Sequence, residues 1–319
     1  MSSVNGQTFS DWEHIIVNDG STDDSGEIIS SMLEDPRVRL LSKPNGGVSR
    51  ARNLGFEHSS AESEYVMFLD SDDRLDPTML ETMIDYLDRN PDVGLAYCGF
   101  VWIDESGRVF TDGAEARRLV PCLGLARELP TSARETPFVA VYAAGGLVPT
   151  MSTVFRRSAF METGGFDETF GQGYEDSDVV LRACLRHRMH FVELRLYCYR
   201  RCSGQSSSDS ERLGRQRGKL YAKWQSSLDF SESERELVRS AEDFRLGPFQ
   251  AYQYLSSARK SWKDGKPSLA FGAVARAARR ILRWRTCRLW ARLALRRNSR
   301  WLVSSLSIGA IFYDLLRQT

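Results

Sequence analysis

The strongest constraint on this chain is a plan repeated through its first ninety residues. A short apolar or β-branched run ends in an acidic or glycine-rich turn, and a segment with helical spacing follows. His14–Asn18 runs into Asp19-Gly20-Ser21-Thr22-Asp23-Asp24, whose side chains suit a helix start, and then into Ser25–Leu33, where Ile28, Ile29, Met32 and Leu33 recur at helical spacing. Val38–Leu41 precedes the turn Pro44-Asn45-Gly46-Gly47 and a helix from about Val48 to His58. Tyr65–Leu69 ends in Asp70-Ser71-Asp72-Asp73, with Pro77 opening a helix through about Asn90. This alternation predicts an α/β fold with a mainly parallel sheet flanked by helices. Ligands of such a sheet gather beyond the carboxyl ends of its strands, which is where this sequence places its acids.

The plan loosens further on. Leu95–Ile103 reads as a strand, Asp104-Glu105-Ser106-Gly107 as a hairpin turn and Val109–Phe110 as its return. Met151–Phe155 is a strand, Arg156–Glu162 a short helix closed by Gly164-Gly165, Asp176–Arg188 a helix and Phe191–Tyr199 a strand. The Ser/Gly/Asp-rich stretch Ser203–Ser210 has the composition of a linker or mobile loop. It divides a catalytic unit over 1–203 from a loop and helical region over 204–319, with helices expected over Glu211–Trp224, Glu232–Phe244, Pro248–Lys260 and Leu269–Leu295.

Composition narrows the classes. With 42% hydrophobic and 27% charged positions, the 319 residues are neither disordered nor fibrous. Six cysteines without CxxC spacing read as packed, reduced thiols rather than a disulfide framework or a zinc site. No charged n-region and apolar core opens the sequence, so the expected location is cytoplasmic. The stretch Trp301–Leu316 is interrupted by serines, a glycine and Asp314, too short for a spanning helix.

Asp70 and Asp72 supply the carboxylate oxygens that a hard divalent ion prefers. An isolated Asp after a strand is more often a turn or capping residue, but acids stand after strands at Asp19, at Asp70–Asp73 and, less directly, at Glu175-Asp176.

The strings IIVNDGSTDDS, GGVSRARNLGF, EYVMFLDSDD, TGGFDETF and GYEDSDVVLRA occur in an order that resembles the family 2 inverting glycosyltransferases of the GT-A fold, over roughly Thr8 to Ser208. The resemblance implies transfer of a sugar from a nucleotide-sugar donor, of the UDP type, to a glycan or lipid-linked acceptor in bacterial surface polysaccharide synthesis. It implies Mg²⁺ or Mn²⁺ held by Asp72, with Asp70 as a ribose or metal contact and Asp73 in support. Asp19 matches the position that accepts a hydrogen bond from the nucleotide base, and Arg52 a basic residue that reaches the phosphates; a surface helix arginine is the alternative for Arg52. Asp176 matches the general base that deprotonates the acceptor hydroxyl, with Glu175 as alternate or acceptor-positioning group. Asp178, two residues on, is expected to point elsewhere, and Asp167 and Glu168 to shape a loop. Tyr199-Arg200-Arg201 resembles a segment that approaches the diphosphate, although Cys202 stands where many relatives have histidine; a surface basic pair is the alternative.

Two features depart from that pattern. Relatives carry an additional strand unit ahead of the residues that match Met1–Phe9, so the chain is expected to behave as a truncated form with unpaired strand edges. From Gly265 to Tyr313 there is Lys and Arg but no Asp or Glu, and Arg276–Arg300 interleaves arginines with Trp284, Leu289, Trp290, Leu293 and Leu295. Such a segment suits an anionic membrane surface, placing the protein peripherally on the inner face of the cell membrane; a solvated helix face is the alternative, and nucleic acid is not expected, since no binding module accompanies it. Two other functions stay open on the sequence: a catalytically impaired binding or scaffold module, and a sugar-phosphate nucleotidyltransferase, whose glycine-rich loop and lysine are not visible.

Overall fold

The computed structural model describes residues 1–30, 33–112, 127–128, 133–145, 148, 150–170, 172–202, 209–227 and 229–285. After a one-turn helix α1 (Ser2–Asn5), the chain forms β1 (His14–Asn18), α2 (Ser25–Ser30), β2 (Val38–Ser42) and α3 (Val48–Glu57). β1 and β2 pair in parallel, His14 opposite Val38 through Asn18 opposite Ser42, and form a sheet of their own. Gly20, at φ 77°, lets the chain turn after β1; a Cβ there would stand 2.7 Å from the Asn45 backbone nitrogen, so the close approach of the two loops requires glycine.

The second sheet has eight strands: β3 (Tyr65–Met67), β4 (Arg74–Leu75), β5 (Val93–Ile103), β6 (Val109–Asp112), β7 (Arg127–Glu128), β8 (Ala133–Glu135), β9 (Thr153–Arg156) and β10 (Arg188–Arg200). Its main path runs β3-β9-β5-β10-β8-β7. The expected parallel pairing appears in β1–β2 and β5–β10, whereas the other described pairings, β9 with β3 and β5 among them, are antiparallel and make the sheet mixed. Antiparallel pairing of distant segments needs no crossover helix and leaves no trace in local periodicity. Among the described residues no strand bridges β1 and β3, so the two sheets are joined by side chains instead: the Glu13 carboxylate accepts from Ser60 N and Ser63 Oγ.

Helices cover the larger sheet because their apolar residues recur at three- and four-residue spacing. In α4 (Met79–Asp88) the stripe Met79, Met83, Leu87 packs with Val93, Ala96 and Cys98 of β5. A second core joins Tyr97, Phe155 and Phe191 to Val141 of α5 (Phe138–Ala144), Phe160 of α6 (Arg157–Met161), and Val179, Val180 and Ala183 of α7 (Glu175–Arg186). Leu220, Tyr221 and Trp224 of α8 (Ser210–Ser226) and Val238 of α9 (Glu232–Phe244) belong to this same core, so these helices are continuous with the sheet unit. Ser231 starts α9 with a reciprocal cap to Glu234.

A π-helical turn, Arg245–Phe249, leads to α10 (Gln250–Lys263) and α11 (Pro267–Arg285), which pack on each other through alanines. The stretch 203–208 and the part of the expected Leu269–Leu295 helix beyond Arg285 lie outside the described residues, as does most of the basic segment to Arg300. Cys98, Cys184, Cys198 and Cys202 are free thiols.

Candidate active site

Loops from both sheets and the first turns of α7 and α8 enclose one cavity of about 820 Å³. Arg52, Asp70, Asp72, Asp73, Glu175 and Asp176 all line it. Asp72 and Asp176, from opposite halves of the catalytic unit, therefore face the same space.

The turn after β3 gathers carboxylate oxygens of Asp70, Asp72 and Asp73 within 4.8 Å of one another. Asp73 is anchored by the protein: the Tyr197 hydroxyl donates to Oδ2 at 2.5 Å and the Arg200 backbone N–H to Oδ1 at 2.7 Å. Burial pushes the Asp73 carboxyl up to about 7 against those two hydrogen bonds, with the Asp72 and Asp70 charges adding to the rise. With Asp73 engaged in this way, Asp70 and the exposed Asp72 offer the oxygens at the cavity. A compact, oxygen-only donor set on a partly exposed turn fits Mg²⁺ or Mn²⁺, and would not suit a soft metal.

Arg52 projects from α3 into the wall between the acids. Its guanidinium donates to Asp70 Oδ1 at 2.7 Å and to Glu175 Oε1 at 3.1 Å, so its planar fork joins the Asp70–Asp73 turn to α7. Burial disfavours its charge, but the neighbouring Asp70 and Glu175 outweigh this and raise its pKa. The next residue, Asn53, donates through Nδ2 to Phe166 O and accepts from Phe166 N, which fastens the Gly164-Gly165 turn to α3.

Gly173, at φ 104°, and Tyr174, at φ 71°, bend the chain into α7; Tyr174 is the one non-glycine residue with positive φ among the described residues. The bend lets Glu175 Oε2 accept from Gly173 N at 2.7 Å while its other oxygen meets Arg52. Asp176 then faces the cavity, accepting from Ser177 N at 2.6 Å. Desolvation first, and the Glu175 charge second, raise Asp176 to about 6, with Arg52 opposing. Asp178 points the other way, buried, and accepts from Arg182 Nε, Lys223 Nζ and Trp224 Nε1 at 2.8, 2.8 and 3.0 Å. Asp167 accepts from Lys223 and Thr169 N, and Glu168 from Arg50 and Asn53, so both hold the loop.

Asp19, Arg200 and Arg201 sit outside the cavity lining. The Asp19 carboxylate accepts from Lys43 Nζ and from Gly46 N and Gly47 N at 2.9 and 2.8 Å, bracing the turn before α3. Burial acts to raise its pKa and is outweighed by these bonds, which lower it. Arg200 donates to the backbone oxygens of Asp72, Asp104 and Glu105, and Arg201 lies 4.3 Å over the Trp102 ring. Tyr199, of the Tyr199-Arg200-Arg201 segment, lines the cavity, and so do Tyr174, Gln172, Arg212 and Leu213, to which sequence reasoning gave no role. The Gly-Tyr pair ahead of Glu175 was the available signal for the bend; Arg212, whose Nη1 donates to Gln172 Oε1, carried none.

The sheet flanked by helices and the carboxylate-lined cleft at its strand ends define a GT-A type glycosyltransferase fold. The chain belongs to glycosyl transferase family 2, whose sequence profile matches residues 1–163. It is 45% identical over 103 residues to the uncharacterized glycosyltransferase YibD of Escherichia coli, covering 32% of this chain and 29% of that protein. It is 31% identical over 202 residues to the glycosyltransferase GlyG of Streptococcus pneumoniae, covering 62% and 64%, and 35% identical over 114 residues to the chondroitin synthase of Pasteurella multocida, covering 35% and 12%. The matches thus span less than two thirds of these relatives' lengths. Among solved structures, Staphylococcus aureus TarS 1–349 in complex with UDP-GlcNAc superposes with a TM-score of 0.54 at 15% identity, over 86% of this chain and 85% of that one.

Proposed function

We propose that this chain transfers a sugar from a UDP-type nucleotide-sugar donor to a glycan or lipid-linked acceptor, with inversion at the anomeric carbon, in bacterial surface polysaccharide synthesis. The observation that carries the reading is the shared cavity of Asp72 and Asp176. Mg²⁺ or Mn²⁺ on Asp70 and Asp72 would supply positive charge to the departing diphosphate. Asp176 Oδ takes the proton of the acceptor hydroxyl as that oxygen bonds to the anomeric carbon and the bond to the diphosphate oxygen breaks. A pKa of about 6 leaves Asp176 mostly ionised near neutral pH while keeping it basic enough to accept a proton. Glu175 and Arg52 fix the first turn of α7 against the Asp70 turn, which sets the distance between base and leaving group. The chondroitin and hyaluronan synthases among the relatives, and the UDP-GlcNAc complex of TarS, support this assignment of substrate class. A lipid-linked acceptor would place the work at the cytoplasmic face of the cell membrane.

The test is a panel of nucleotide sugars assayed for released nucleoside diphosphate with Mg²⁺ or Mn²⁺. Metal-dependent release is expected, lost in Asp72→Ala and Asp176→Asn, with the product's anomeric configuration opposite to the donor's by NMR. Pyrophosphate formed from a nucleoside triphosphate and a sugar phosphate would point to a nucleotidyltransferase instead.

A further inference from the structure

In the α10–α11 hairpin the apolar residues are distributed against the usual order of size. The fully buried residues between the helices are alanines, Ala251 with Ala277 and Ala258 with Ala270 and Ala273, and Tyr254, Leu255 and Val274 are partly buried against them. The large apolar side chains at and beside the turn point outward, with Leu269 58% exposed, Phe271 54% and Trp262 37%. Burying Trp, Leu and Phe and exposing alanine would remove far more apolar surface from water, so an outward cluster of this kind marks a surface that meets an apolar partner. Trp262 and Phe271 touch edge to face, centroids 5.9 Å apart, so these two form one patch beside the turn. The turn itself is ordered: Gly265, at φ 69°, donates to Trp262 O and Lys266 N donates to Ser261 O.

The surrounding charge is mainly positive. Exposed Asp264 stands in the turn, but Lys266 just before α11 and Arg276 and Arg279 on it are exposed, and no acidic residue occurs from Gly265 through the end of that helix. Among the described residues no helix is long and apolar enough to cross a membrane, so contact through this surface would be lateral. Exposed aromatic and leucine side chains on a predominantly basic hairpin complement a bilayer whose headgroups are negative and whose interior is apolar.

We propose that the α10–α11 hairpin docks on an acidic phospholipid surface, with Trp262, Leu269 and Phe271 entering the headgroup boundary and Lys266, Arg276 and Arg279 contacting the headgroups. This surface lies upstream of most of the arginine-rich segment that the sequence alone singled out, and binding is measured without donor or acceptor. The proposal can therefore fail while the transferase reading stands, and the reverse.

The experiment is flotation of the full chain with vesicles of phosphatidylglycerol and phosphatidylcholine, and with vesicles of phosphatidylcholine alone, at low and high salt. Each basic residue near an anionic surface raises partitioning about fivefold, so the triple change Lys266→Glu, Arg276→Glu and Arg279→Glu is expected to lower it by about a hundredfold or more. The triple change Trp262→Ser, Leu269→Ser and Phe271→Ser is expected to lower it by at least about tenfold while circular dichroism and the thermal transition stay unchanged, because these residues are exposed. The preference for the acidic vesicles is expected to weaken as salt rises. Equal recovery on both vesicle types, or a serine variant that floats like the parent, overturns the proposal. So does a parent that sediments as a dimer and a serine variant that is monomeric with unchanged vesicle recovery, which would assign the patch to self-association.

Discussion

Arg52→Met separates two roles for a buried arginine. Opposite unit charges about 4 Å apart attract by about 4 kcal/mol at an effective dielectric of about 20. Arg52 has two such partners, at N···O distances of 2.7 and 3.1 Å, in a wall where its side chain is 11% exposed. Desolvation of the guanidinium offsets much of that attraction in the parent, but the variant leaves Asp70 and Glu175 without their counter-charge. Breaking a buried pair from one side costs about 3–5 kcal/mol, so urea unfolding near neutral pH is expected to show a midpoint lowered by that amount of stability with an unchanged slope. Arg52→Lys keeps the charge without the planar fork and is expected to fall between parent and Met variant. Because Arg52 holds Asp176 down, its removal also moves the acid limb of any transfer activity to higher pH. If Arg52 acts by touching the donor phosphates, the Met variant loses nucleoside diphosphate affinity with less than about 1 kcal/mol of lost stability, a typical surface effect; that outcome would refute the bridging role.

Asp176→Asn is expected to cut transfer by about 10²–10⁴ in kcat while donor binding and fold persist, measured by product formation and by calorimetry with a nucleoside diphosphate. In the parent, Asp176 is protonated below about pH 6, so turnover is expected to climb with pH through that value and then level; a flat profile between pH 5 and 8 excludes it as the base. Lys223→Met leaves the fully buried Asp178 with two donors instead of three and is expected to lose about 2–3 kcal/mol by chemical denaturation. Burial favours a neutral Asp167, but the hydrogen bonds of Lys223 and Thr169 outweigh it and lower the carboxyl to about 2 from an ordinary 3.8. That share of stability is present above the ordinary value and is lost as pH falls through about 2, so the gap between parent and variant should narrow there. Gly165→Ala puts a Cβ 2.8 Å from Asn53 Oδ1 at a residue with φ 83°, and thermal denaturation is expected to show a loss of more than about 1 kcal/mol.

The candidate site was legible where its chemistry sits in short strings at strand ends. Asp70 and Asp72 could be singled out because they follow an apolar run, and Glu175 and Asp176 because the string GYEDSDVVLRA resembles the family's; the structure brings all four to one cavity. Arg52 was found by its string but not in its setting: a sequence does not say that a guanidinium will meet Asp70 and Glu175, which depends on how three distant segments pack. The same reason hides β9, whose place between β3 and β5 is a long-range pairing. Arg200 was singled out because Tyr199-Arg200-Arg201 resembles a segment that approaches the diphosphate; in the structure it donates to backbone oxygens of Asp72, Asp104 and Glu105, a kind of partner that composition cannot announce. Asp178 was separable from Asp176 by helical geometry alone, since residues two apart leave opposite sides of a helix.

Helix α8 is bolted at one end and open at the other. Lys223 and Trp224 fix its later turns to Asp178, whereas Arg212 and Leu213 in its first turn form part of the cavity wall. Substitutions in that first turn can thus reshape one wall of the cavity while the buried contacts of Asp178 keep α7 in register. Under the proposed transfer, a helix divided in this way would let one chemistry serve different acceptors through changes that leave folding untouched.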